Sequence, residues 1–346
     1  MTLSEIQSAQ VADILPRTVV FQHDLGIGDL VFRLPYLKAV AQKSKDGKIV
    51  LIAQSSACAV DLLRGVEWLS EIIVYERGRK SDARGKHRGF WGYISLILQV
   101  RSHEFERMVI FGDRLRYSFL AYLAGIPVRI GYGGFGVSFL QRLFLNRKPF
   151  IKPYVGPCIT NYMWATELMM GHGFCAGPLV PRLSVPAELS AKWSKELASL
   201  PESRVVFVVG ASDKVKDWGA SNFAALASEL LASGCAVVCL GGRAERQILE
   251  RIESQIRPDL REHLRIMSPP SVLDSAAVAM QCRVCIGNDT GMLHVAAACE
   301  VPTVLILGHR RLPCHDPAID SLIASSVAQV SVSDALQAVS RVIRPA

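Results

Sequence analysis

The sequence predicts an α/β protein built from two doubly wound parallel sheets. Three observations carry this. Short β-branched runs alternate with amphipathic stretches along the whole chain. The runs are almost continuously apolar, as in strands covered by helices on both faces. The alternation restarts after a Pro- and Gly-rich middle, in a chain of 346 residues, long enough for about two domains at ~100–200 residues each.

In the first half, strands are expected at residues 18–22 (TVVFQ), 49–53 (IVLIA), 72–75, 108–111 and 128–130. Between them, helical spacing of apolar residues predicts helices at 30–42, 57–64, 91–103 and 114–123. Residues 148–156 (KPFIKPYVG) and 175–186 are rich in Pro and Gly and suit connectors, with a helix-like stretch at 161–172 between them. The second half repeats the pattern, with strands at 205–209, 236–240, 265–267, 284–286 and 303–307 and helices at 221–232, 243–255, 271–280 and 291–298. The expected organisation is a first domain over 1–157, a connector over 158–186 and a second domain over 187–346, with a C-terminal helix returning to the first domain. In such sheets ligands bind beyond the carboxyl ends of the strands, here in a cleft between the domains.

Half of the residues are apolar, which excludes a disordered or fibrous chain. The most apolar long stretch, 117–144, is interrupted by Arg129, Arg142 and five glycines, so no membrane-spanning helix is expected. The first 16 residues carry Glu5 and Asp13 without a basic start or an apolar block, so no secretory signal is expected. Nine cysteines without a framework spacing fit reduced thiols and a cytoplasmic protein. The net charge of +8 is uneven: residues 1–157 hold 22 basic against 13 acidic residues. Much of the excess lies in residues 77–88 (RGRKSDARGKHR), six basic residues with one acid. That run reads either as a solvated loop or as a face for an anionic partner. It lacks the aromatic interleaving of a single-strand binder, which argues against nucleic acid.

Four loops carry candidate chemistry, each following an expected strand. His23-Asp24-Leu25-Gly26-Ile27-Gly28-Asp29 opens a helix: its glycines permit a tight turn and close approach of a ligand. Asp29 there reads as a helix cap or as a carboxylate facing the cleft. Gly287-Asn288-Asp289-Thr290-Gly291-Met292-Leu293-His294 also opens a helix, and a helix start of this kind presents backbone N–H groups to phosphate. His294 falls on the same side as Thr290, four residues earlier. Gly210-Ala211-Ser212 is followed by Lys214, Lys216 and Trp218, where a lysine can neutralise a phosphate. Gly241-Gly242-Arg243-Ala244-Glu245 could present Glu245 to a ribose hydroxyl.

Two motifs point elsewhere and are set aside. Residues 131–136 (GYGGFG) satisfy the dinucleotide G-x-G-x-x-G, but no acid occurs between Gly131 and Thr166 to take the ribose. Cys282 and Cys285 form a C-x-x-C on an apolar strand without a second pair, so no metal is expected there.

Taken in order, the motifs resemble glycosyltransferase family nine, the ADP-heptose:lipopolysaccharide heptosyltransferases. The matching residues are Gly26–Asp29 with Pro35, GIPVRIGY at 125–132, Gly210–Ser212 with Lys216, Trp218, Phe223 and Leu226, the GGRAE loop at 241–245, and GNDTGMLHVAAACEVPTVLILG at 287–308. The last is the most specific. The resemblance implies a GT-B fold, two Rossmann-like domains facing a central cleft, with acceptor in the first and nucleotide sugar in the second. It implies an inverting, metal-independent transferase moving a heptose from ADP-heptose to a phosphorylated lipopolysaccharide inner core. No cofactor is then needed, the ADP-sugar being a co-substrate. On this reading Asp29 is the general base. Lys216, Ser212, Asp289, Thr290, Gly291 and His294 hold the donor phosphates and sugar, and Glu245, Gly241 and Gly242 hold the nucleoside. Gly26, Gly28, Arg79, Lys80, Arg84 and Lys86 face an anionic glycolipid acceptor, with peripheral contact at the cytoplasmic face of the inner membrane. Alternatives are another nucleotide sugar, a capsule or protein acceptor, or a sugar-nucleotide binder without catalysis. Two departures from the family pattern stand out: Gly219 replaces a proline, and HRRLPCHDPA follows Gly308.

Overall fold

A computed structural model of the chain describes residues 15–76, 85–134, 139–148, 150–151 and 155–343. They fall into two compact units. The first takes in the described residues up to Leu25, Pro35–Val155 and Met163–Leu179; the second takes in Gly26–Leu34, Gly156–Tyr162 and the chain from Val180 onward. The expected connector is thus shared between the units.

The first unit runs β1 (Thr18–Gln22), α1 (Ile27–Gln42, whose first turns belong to the second unit), β2 (Ile49–Gln54), α2 (Ala59–Leu62), β3 (Leu69–Tyr75), α3 (Gly89–Ser102), β4 (Arg107–Phe111), α4 (Leu115–Leu123) and β5 (Val128–Gly131). A small strand pair, β6 (Gly133–Gly134) and β7 (Phe150–Ile151), flanks α5 (Phe139–Phe144), and α6 (Thr160–Gly171) follows. The main sheet is parallel in the order β3-β2-β1-β4-β5. Central β1 is buried at every residue, with Phe21 in register with Ile52 and Ile110. Val19, Phe21, Ile52 and Ile110 pack one face against Leu96 and Val100 of α3 and Leu120 of α4. The helix expected at 57–64 is shorter, because Cys58 takes a left-handed φ of 52° that separates α2 from a preceding 3-10 turn.

The second unit runs α7 (Ala187–Glu196), β8 (Arg204–Val208), α8 (Ala220–Ala232), β9 (Ala236–Leu240), α9 (Arg246–Gln255), β10 (Leu264–Met267), α10 (Val272–Ala279), β11 (Val284–Asn288), α11 (Gly291–Ala298), β12 (Thr303–Ile306), β13 (Ile319–Leu322) and α12 (Val332–Ile343). Its parallel sheet is ordered β10-β9-β8-β11-β12-β13. Alternate residues of β8 serve opposite faces. Val205 and Phe207 pack with Phe223 and Leu226 of α8, while Val206 and Val208 pack with Leu293 of α11 and Trp193 of α7.

The C-terminal helix packs on the sheet of this unit. Ala335, Ala338 and Val339 of α12 are buried in the core that includes Ile286 of β11 and Val304 of β12. Its apolar stripe is satisfied by its own sheet. In both sheets the strand order reverses beside the first strand, at β1/β4 and at β8/β11. Such reversals splay the following loops apart and open a ligand site at the carboxyl ends.

Candidate functional site

The β8/β11 reversal places the loop after β8 beside the start of α11, and one buried side chain ties them together. Asn288, the last residue of β11, donates from Nδ2 to the carbonyl of Val209 (2.9 Å) and accepts the Trp218 backbone N–H at Oδ1 (3.0 Å). The Trp218 indole donates to the Val330 carbonyl at 2.8 Å. Between these anchors, Asp213 caps the 3-10 turn Lys214–Lys216 by accepting the Val215 N–H at 3.3 Å. The loop therefore presents Lys216 in a fixed place. Gly219 follows at φ 93°, a value closed to the proline of the family pattern.

Lys216 Nζ lies 2.9 Å from Asp289 Oδ2, and His294 Nε2 lies 3.0 Å from Asp289 Oδ1. A third group joins them: Arg310 Nη1 donates to Asp289 Oδ2 at 2.6 Å. The side chain of Asp289 is 14% exposed and that of His294 4%. Burial opposes ionisation of Asp289, but hydrogen bonds and charge from His294 and Lys216 outweigh it and hold the carboxyl well below the usual carboxylate range. Thr290 caps α11 in an extended conformation (φ −141°) without a side-chain cap bond. The helix start at Gly291 thus keeps the backbone donors that a helix cannot satisfy internally. Lys216, Asp289, Thr290, Gly291 and His294 lie together at the start of α11; Ser212 is exposed in the loop that bears Lys216.

The turn carrying Asp29 belongs to this unit as well. Asp29 Oδ2 accepts the Gly26 N–H at 3.1 Å, and the Leu30 N–H donates to the Gly26 carbonyl, so Asp29 does cap α1. The same turn meets α11 backbone to backbone. A Cβ on Gly28 would stand 3.2 Å from His294 Cδ2, and one on Gly291 would stand 3.0 Å from the Gly28 nitrogen. Two glycines facing each other allow this approach. Phe32, one turn further along α1, meets the His294 ring edge-on at 4.7 Å between centroids.

Glu245 joins two further loops of this unit. Its Oε2 accepts the Gly242 N–H at 2.8 Å, and a Cβ on Gly210 would lie 3.4 Å from its Oε1, so the loops after β8 and β9 meet at this carboxylate. Gly241 precedes Gly242 directly after β9. Of the basic run, Arg79, Lys80 and Arg84 lie outside the described residues; Lys86 is exposed in the turn before α3. Cys282 and Cys285 are buried, and burial pushes the Cys282 thiol up to about 12. Among the described residues no group of three His, Cys, Asp or Glu side chains is placed to hold a metal.

Two residues of the site were not assigned a role from sequence. Asn288 sits inside the recognised motif, but its bridging role needs the fold. Arg310 lies in the segment that departs from the family pattern, and that departure was its only sequence signal.

Comparison with known proteins identifies the family. Glycosyltransferase family 9 (heptosyltransferase) matches residues 93–338. Lipooligosaccharide heptosyltransferase 2 of Haemophilus influenzae is 25% identical over 218 residues, which cover 59% of this chain and 61% of that protein. The match therefore spans less than two thirds of that relative. Among solved structures, Escherichia coli ADP-heptose lipopolysaccharide heptosyltransferase II has a TM-score of 0.75 at 18% identity, covering 94% of this chain and 98% of that one. Escherichia coli heptosyltransferase WaaC with ADP-2-deoxy-2-fluoro heptose has a TM-score of 0.69 at 16% identity, covering 93% and 98%. Both share the two-sheet GT-B fold.

Proposed function

This chain belongs to glycosyltransferase family 9, and from that premise we propose that it transfers a heptose from ADP-heptose to a phosphorylated lipopolysaccharide inner-core acceptor. The observation that carries the reading is the convergence of Lys216 and His294 on Asp289 at the start of α11, beside the glycine turn that bears Asp29. The ADP-sugar analogue named with the WaaC structure supports the choice of donor.

The chemistry follows from charge. As the anomeric C–O bond breaks, its electron pair passes to the diphosphate, and Lys216 with the backbone donors at the start of α11 stabilises that charge. That cation and those donors allow departure without a metal. Asp29 takes the proton of the attacking acceptor hydroxyl, a contribution of about 10²–10⁴-fold for general bases. A single displacement inverts the anomeric centre. Glu245 and its two glycines receive the nucleoside. The basic run through Arg79, Lys80, Arg84 and Lys86 attracts the acceptor's phosphates and an anionic membrane surface. Peripheral contact of this kind fits a chain in which, among the described residues, no helix is long and apolar enough to cross a membrane.

The test is a donor panel with phosphorylated and dephosphorylated inner-core acceptors, read by mass of the product and by nucleotide release. ADP-heptose should give a product one heptose heavier, with ADP released and the phosphorylated acceptor preferred. Turnover only with a GDP- or UDP-sugar would replace the donor. Nucleotide binding without transfer to any acceptor would leave a binding protein.

A further inference from the structure

We propose that Arg310 is a second diphosphate-binding residue of this chain, holding two phosphate oxygens of the donor through the Nε–Nη2 edge of its guanidinium. The inference rests on the donor reading above and adds to it a residue that lies in the segment unlike the family pattern.

The geometry of the guanidinium carries the argument. Nη1 is committed to Asp289 Oδ2 at 2.6 Å. Nε and Nη2 are both buried and have no hydrogen-bond partner. Those two nitrogens form the side-on edge of the guanidinium, the fork that takes two oxygens of a carboxylate or phosphate in parallel. Leaving such donors buried and unpaired is costly, so a ligand that satisfies them gains more than it would at a solvated arginine. His294, 4% exposed, adds a third unpartnered buried polar atom, Nδ1, on the residue that shares Asp289 with Arg310.

Arg310 is also held in place from both sides. Gly308 turns the chain at φ 66° two residues before it, where a Cβ would stand 2.9 Å from the Val327 nitrogen. Two residues after it, Leu312 pairs with the strand-like segment around Cys158: its N–H donates to the Pro157 carbonyl and its carbonyl accepts the Ile159 N–H, both at 2.8 Å. A long cation anchored this way contributes to binding with little ordering cost.

Charge completes the case. Lys216 and Arg310, two cations, share the single carboxylate of Asp289 at the start of α11. A diphosphate is the ligand class whose charge and paired oxygens match those cations and that fork. In the ligand-free protein Asp289 acts as the internal counter-ion of both cations.

The test is calorimetric titration of the full chain with ADP, GDP, UDP, adenosine and inorganic pyrophosphate, for the wild type, Arg310→Ala and Arg310→Lys, each checked by thermal unfolding. If Arg310→Ala does not fold, Arg310→Gln takes its place. The expected result is a loss of about 10- to 100-fold for the nucleoside diphosphate that the wild type binds and for pyrophosphate. Arg310→Lys should recover only part of it, because an ammonium cannot fork, and adenosine should be indifferent to both changes. Wild-type affinity for diphosphate in folded variants would overturn the assignment and make Arg310 a counter-ion of Asp289 alone. Pyrophosphate binding that needs Arg310, without binding of any nucleoside diphosphate, would sustain Arg310 and overturn the nucleotide donor. Failure of the wild type to bind any diphosphate would overturn both.

Discussion

Lys216 Nζ stands 2.9 Å from Asp289 Oδ2 across 73 residues of sequence. The cation expected to meet the donor phosphates is therefore already neutralised by the carboxylate expected to meet the donor sugar. Lys216→Ala should weaken nucleoside diphosphate binding by about 10- to 100-fold, the loss of one charge-assisted contact. Calorimetry with ADP checks this, and unchanged affinity would remove Lys216 from the phosphate site.

Asp289 makes stability pH-dependent in a definite direction. Its folded carboxyl lies well below the usual range, so below about pH 4 the unfolded chain binds a proton that the folded chain does not. Stability contributed by Asp289 is present above that value and lost as pH falls towards the folded carboxyl's own titration. In Asp289→Asn the acid-side decline in melting temperature should be shallower than in the wild type. Parallel declines would mean that the ion-paired cluster does not form in solution.

Asn288 is a positioning residue. Asn288→Ala strands the Val209 carbonyl and the Trp218 N–H, each worth about 1–3 kcal/mol when left unpaired and buried. It should lower the melting temperature and also weaken ADP binding, because the loop bearing Lys216 loses its anchor. Lower stability with unchanged affinity would confine Asn288 to the core.

The meeting of Gly28 and Gly291 gives a steric test. Gly291→Ala puts a methyl 2.9 Å from Ile27 Cβ and 3.0 Å from the Gly28 nitrogen, so backbone must move. A cost of about 1–3 kcal/mol is expected, with kcat falling further than in Gly28→Ala, whose methyl meets the His294 ring at 3.2 Å. Wild-type kinetics in both folded variants would show that the turn and α11 need not touch for catalysis.

Neutralising Arg79, Lys80, Arg84 and Lys86 together should raise the acceptor KM and weaken binding to anionic vesicles. The difference from wild type should shrink as salt shortens the ~10 Å Debye length. An acceptor KM that does not move at low salt would leave the run as a solvated loop.

Much of the fold was legible because its signals are local. β1, β9 and α11 occupy the residues that β-branching and helical spacing assign to them, since a strand buried on both faces needs a continuous apolar run. What was missed is short or weakly apolar. β13 (IDSL) is an edge strand with polar residues, and α7, behind Pro186, was hidden at the end of a Pro-rich stretch although Trp193, Leu197 and Leu200 bury one face of that region. The site divides in the same way. The glycine turn and the helix start at Gly291 are contiguous in sequence and could be read there. The pairing of Asp289 with Lys216 and Arg310, and the bridging by Asn288, join residues that only the order of strands brings together.

The general base is the central claim, and Asp29→Asn tests it most directly. Asparagine keeps the shape of the side chain and an oxygen to accept the Gly26 N–H, so the cap on α1 survives while the proton acceptor is lost. With ADP-heptose and the phosphorylated acceptor, kcat should fall by about 10²-fold or more while the affinity for ADP stays at the wild-type value. Wild-type turnover by the folded variant would contradict the account and return Asp29 to the role of a helix cap.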